Sequence, residues 1–117
     1  MFIPENEPEE HLVPPTFTRH LLPSNALEGS LLELHCTVEG QPLPTVQWFK
    51  RDICIDNTPD YNITFNNGEA ILRFDELFLD DQAEYTCQAT NPAGSASTTA
   101  SITVQRNFFF NKQNYLG

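Results

Sequence analysis

Asp81-Gln82-Ala83-Glu84-Tyr85-Thr86-Cys87 is the stretch whose reading decides the fold. Ala83, Tyr85 and Cys87 stand two residues apart, so on an extended backbone they share one face. Gln82, Glu84 and Thr86 then share the other, the alternation of a half-buried antiparallel strand. A Tyr two residues before a Cys, just after an acidic corner, marks a tyrosine corner. There the phenol hydrogen-bonds back to the preceding turn, and Asp81 serves as a structural acceptor.

Working outward, Cys36 ends the run Leu31-Leu32-Glu33-Leu34-His35-Cys36, and Trp48 follows in Val46-Gln47-Trp48-Phe49-Lys50. Cys36 and Cys87 occupy facing core positions, with Trp48 filling the widest gap between two sheets. Upstream, order is expected to begin at Thr16-Phe17-Thr18, and Leu22-Pro23-Ser24-Asn25 splits that edge segment into two half-strands. Glu28-Gly29-Ser30 reads as a turn. The next strand places Leu32, Leu34, Cys36 and Val38 inward and Glu33, His35 and Thr37 outward. After Trp48, Ile53 to Ile55 form a short edge strand, and Tyr61, Ile63 and Phe65 alternate along another. Asn66-Asn67-Gly68 is a hairpin signal. Leu72 and Phe74 then face inward, with Leu77 plugging the end of the core. Asn91-Pro92-Ala93-Gly94 is a tight turn before a last strand that points Ala100, Ile102 and Val104 inward. No segment carries helical periodicity, so the chain reads as all-β, a two-sheet sandwich of Greek-key topology.

The chain has 117 residues, enough for one such domain. Residues 1–15, with four Glu and four Pro, read as an acidic linker, 16–105 as the domain and 106–117 as a tail. Six Lys and Arg against sixteen Asp and Glu leave a net charge of −10. Such an acidic chain repels nucleic-acid phosphates and anionic lipid, so neither nucleic acid nor membrane is an expected partner. No apolar run approaches the ~20 residues of a membrane span.

Together these residues resemble the intermediate-set (I-set) immunoglobulin domain over residues 16–105. The likeness rests on Pro15-Thr16-Phe17, Glu28-Gly29, Cys36, Gly40-Gln41-Pro42 with Pro44, Trp48-Phe49-Lys50, Leu72, Asp81-x-Ala83-x-Tyr85-x-Cys87 and Asn91-Pro92-Ala93-Gly94. Within that set the wording is similar to repeats of giant muscle proteins of the titin, twitchin, projectin, kettin and obscurin kind, and to palladin and myopalladin. The resemblance implies a monomeric, non-catalytic module of a cytoplasmic sarcomeric or cytoskeletal scaffold that contributes to filament organisation and elasticity. Its implied partners are components of actin or myosin filaments and neighbouring immunoglobulin domains. Ala83 departs from the pattern, since Gly is commoner there. So does Arg106-Asn107-Phe108-Phe109-Phe110-Asn111, an aromatic run with no counterpart. It is the start of another linker, a segment that docks on the sandwich, or an extension foreign to the domain.

Cys36 and Cys87 either form a disulfide across the sheets, worth roughly 4 kcal/mol by the chain-entropy model, or remain two buried thiols. Cys54 is left without a partner, which suits a reducing compartment. Asn62-Ile63-Thr64 is an N-glycosylation sequon with Asn62 facing outward, and it favours the alternative of an extracellular adhesion or receptor domain. His11, His20 and His35 match no metal motif and read as surface residues. No nucleophile stands with a base, and no Gly-rich loop cradles a phosphate, so neither catalysis nor a cofactor is expected. Phe49, just after Trp48, and the tail residues Phe108, Phe109 and Phe110 are the candidate contact surface.

Overall fold

The computed structural model describes residues 11–109. Nine strands follow in order: β1 (Val13–Arg19), β2 (Ser24–Leu27), β3 (Leu32–Gln41), β4 (Thr45–Lys50), β5 (Ile53–Cys54), β6 (Asn62–Asn66), β7 (Glu69–Phe74), β8 (Ala83–Asn91) and β9 (Gly94–Gln105). They form a four-stranded sheet, β1-β3-β7-β6, and a five-stranded one, β2-β9-β8-β4-β5. Every pairing is antiparallel except that of β2 with β9.

Period-two alternation explains the layers. On β3, Leu34, Cys36 and Val38 are buried, and on β8 Tyr85, Cys87 and Ala89 are. Between the sheets Trp48, Leu72, Tyr85, Cys36 and Cys87 are all 0% exposed. Each large side chain withdrawn from water contributes on the order of 1.5–3 kcal/mol. Phe74 bridges two rings edge to face, Tyr61 at 5.9 Å and Tyr85 at 5.5 Å.

The β6–β7 hairpin closes through Asn67 and Gly68, with φ of 49° and 88°. These left-handed values give the two-residue turn whose twist matches the strands it joins. Gly68 is required on a second count, because a Cβ there would lie 2.6 Å from the carbonyl oxygen of Val38.

Three features differ from the sequence reading. The first strand begins at Val13, not Thr16: Val13 pairs with Gln41, and its carbonyl accepts a hydrogen bond from Asn91 Nδ2 at 2.8 Å. Thr98, a polar residue on the inward face of β9, is buried. It is satisfied by the Leu21 N–H, which donates to Thr98 Oγ1 at 3.1 Å just where the chain crosses between sheets. A short 3-10 turn (Leu79–Asp81) forms the corner before β8.

Candidate functional site

The corner before β8 is held by two groups. Tyr85 Oη donates to the carbonyl of Asp81 at 2.6 Å, and the N–H of Phe78 donates to Asp81 Oδ2 at 2.8 Å. Burial pushes the Tyr85 phenol above its ordinary range, and neighbouring Tyr61 and Asp81 add to it. Burial also raises the Asp81 carboxyl, against the Phe78 N–H that lowers it. Both hydrogen bonds are spent on holding the corner, with Asp81 accepting in each.

Trp48 pairs in register with Cys87, and its backbone N–H donates to Asp56 Oδ1 at 2.9 Å, which fixes the strand beside β5. Cys36 and Cys87 are buried free thiols, so the disulfide considered for them is not formed here. Contact with Cys36, then burial, pushes the Cys87 thiol far up. A thiol so disfavoured as thiolate is no nucleophile. Cys54 is exposed on the edge strand β5.

His35 is no plain surface histidine. On the outer face of the first sheet its Nε2 lies 2.8 Å from Glu33 Oε1 and its Nδ1 3.3 Å from Glu69 Oε2. Arg73 extends the ladder, reaching Glu33 at 3.0 Å and Asp75 at 2.7 Å. His35, then Arg73, hold the Glu33 carboxyl below the usual range. Sequence spacing hid this ladder because its members come from β3, β7 and the loop after it, joined only by register.

An open cleft of about 700 Å³ lies beside the corner, lined by Lys50, Asp60, Tyr61, Asp75, Asp80 and Asp81 among others. The Lys50 ammonium is engaged, donating to the Asp80 carbonyl at 2.6 Å. Among the described residues no group of His, Cys, Asp and Glu is arranged to hold a metal ion. At the opposite pole Asn91 gathers three segments. Its Nδ2 donates to the carbonyls of Val13 (2.8 Å) and Pro42 (2.9 Å), and its Oδ1 accepts from the Ala93 N–H (2.9 Å). The sequence marked Asn91 only as part of a turn.

The candidate contact residues are scattered. Phe49 is half-buried, opposite Cys54 and Thr86, so the exposed face expected there is narrower. Phe108 and Phe109, beyond the end of β9, are 75% and 83% exposed, while Phe110 lies outside the described residues. Asn62 is exposed on β6, an edge strand.

Two sheets closed over a buried indole, two facing thiols and a tyrosine corner define an immunoglobulin-like sandwich. Residues 15–104 match the immunoglobulin I-set domain, and the chain belongs to that family. It is similar to telokin of Meleagris gallopavo, 37% identical over 105 residues that cover 89% of this chain and 68% of telokin. It is also similar to palladin of Mus musculus, 40% identical over 107 residues, covering 88% of this chain but 8% of palladin. Among solved structures, the titin domains Z1Z2 in complex with telethonin superpose with a TM-score of 0.79 at 29% identity, covering 83% of this chain and 49% of that one. The chain is thus a domain of the kind carried by muscle proteins such as titin and palladin.

Proposed function

We propose that this domain is a non-catalytic structural and protein-interaction module of a sarcomeric or cytoskeletal scaffold in the cytoplasm. The observation that carries the reading is the parallel ladder of β2 on β9, with Ser24 opposite Ile102 through Leu27 opposite Gln105. In a parallel pair the leading end of β2 and the trailing end of β9 lie at opposite ends of the ladder. Tension between the two chain ends therefore runs along the strands and loads these hydrogen bonds together rather than one by one. The Val104 N–H is turned to the β8 side, where it donates at 3.0 Å to Oε1 of Gln82, the residue just before that strand, so the Thr103 N–H faces β2. Thr103→Pro deletes that donor. Force spectroscopy is expected to give a lower unfolding force for this variant, and an unchanged force sinks the mechanical role.

The proposed partners are proteins: neighbouring domains of the same fold and components of actin or myosin filaments. A titin pair of this fold is known in complex with telethonin, which supports protein partners in general. The net charge of −10 weighs against direct attraction to an acidic filament surface. Failure of the isolated domain to cosediment with actin filaments even at low salt removes actin from the set.

The exposed Asn62 of the sequon favours a second reading, an extracellular adhesion or receptor domain. Intact mass of the protein from its native source separates the two. A glycan at Asn62 with Cys36 and Cys87 oxidised replaces the scaffold reading.

A further inference from the structure

Glu28 is a carboxylate 5% exposed to solvent, and among the described residues no cation is paired with it. A buried polar side chain of this kind needs hydrogen-bond donors to replace the lost water. Its donor comes from beyond the last strand. The Asn107 N–H donates to Glu28 Oε1 at 3.1 Å, and Asn107 Nδ2 donates to the Glu28 carbonyl at 3.3 Å. The Glu28 N–H in turn donates to the Gln105 carbonyl at 2.7 Å. The turn that carries Glu28 is itself pinned: Gly29, at φ 91°, donates to the Leu77 carbonyl at 2.7 Å, and Leu77 donates back to Ser30 at 3.0 Å. On the far side Asn107 Oδ1 accepts from the Phe109 N–H at 3.1 Å, the capping geometry that starts a helical turn. The chain leaving β9 is thus gripped for two residues past the sheet and redirected at Asn107.

We infer that Glu28 and Asn107 form a latch that holds the chain leaving the sandwich in one direction and presents Phe108 and Phe109 on an ordered turn. The carboxylate supplies the acceptor, the Asn107 side chain ties both the Glu28 backbone and the Phe109 amide, and the two phenyl rings stay in solvent as a consequence. The chain as far as Phe109 then holds one orientation relative to the domain. Two short hydrogen-bonded links separate the body of the domain from this turn, so removing either frees it while the sheets stay intact. The inference concerns this chain alone and stands or falls separately from the scaffold reading.

Amide hydrogen exchange and 15N relaxation on the 117-residue chain test it, with Glu28→Ala, Glu28→Gln and Asn107→Ala as variants. In the unmodified chain the Asn107 and Phe109 amides are expected to exchange at least about tenfold more slowly than an unstructured peptide, with order close to that of β9. Glu28→Ala abolishes the protection of Asn107, while Glu28→Gln, which keeps an acceptor oxygen, retains most of it. Asn107→Ala frees Phe109 and leaves Glu28 in place, which keeps the test decisive if Glu28→Ala fails to fold. The amides of Ile102 and Val104 serve as the fold control and are expected to stay protected. Random-coil exchange at Asn107 and Phe109 in the unmodified chain overturns the latch. So does unchanged protection of Asn107 in Glu28→Ala.

Discussion

Tyr85 shows how much one hydroxyl does in this core. Its ring lies fully buried against Phe74, and its Oη satisfies the Asp81 carbonyl at the corner. Tyr85→Phe keeps the ring packing and strands that carbonyl, so a loss of about 1–3 kcal/mol is expected. Urea unfolding checks it: the midpoint falls while the slope stays the same, since the surface exposed on unfolding is unchanged. This residue was legible, because Tyr-x-Cys after an acidic turn is a local pattern. Thr98 and Glu28 were not. Each is polar and buried, and each is satisfied by a partner far off in sequence, Leu21 for one and Asn107 for the other.

Among the elements, the β6–β7 hairpin is the one whose turn chemistry leaves least freedom. Gly68 combines a left-handed φ with a close approach to β3, where its carbonyl accepts the Val38 N–H at 2.9 Å. Gly68→Ala meets the Val38 oxygen at 2.6 Å and a strained φ at once. A destabilisation of about 1–3 kcal/mol is expected, read as a lowered thermal midpoint together with faster exchange of the Val38 amide. Asn67-Gly68 marks the hairpin in the amino-acid order itself, since few other residues tolerate that turn. That the turn also presses against β3 is not marked there, because strand order is a property of the sheet. The split at Leu22-Pro23 was likewise visible as a break, yet nothing local said that β2 would join β9 in parallel.

For the molecule as a whole, the buried thiols and the phenol link stability to pH. Cys87 and Tyr85 both titrate higher in the fold than in the unfolded chain. Their contribution is therefore complete below the unfolded values, about 8.5 for Cys and 10 for Tyr. It is lost as pH rises toward the folded ones, at up to about 1.4 kcal/mol per pH unit for each group. Denaturation midpoints measured from pH 7 to 11 are expected to fall from about pH 9, and the Tyr85→Phe curve to be flatter above about pH 10. On the acid side two carboxyls act in opposite directions. Glu33, lowered by His35 and Arg73, contributes above the ordinary carboxylate range and ceases to as pH falls through its folded value. Asp81, raised by burial, is relieved by protonation over the same fall.

Which face each residue presents, where the chain turns, and which indole, thiols and phenol meet in the centre were already determined by the order of amino acids. Alternation and turn preference act over a few neighbours, and a sandwich with one buried Trp, two facing Cys and a tyrosine corner has few other solutions. Tertiary structure alone decided the partners. The grip of Glu28 on Asn107, the clamp of Asn91 on Val13 and Pro42, and the ladder through His35 join residues up to 79 positions apart. Such bonds depend on strand register and on how the two sheets close, neither of which leaves a mark on local spacing.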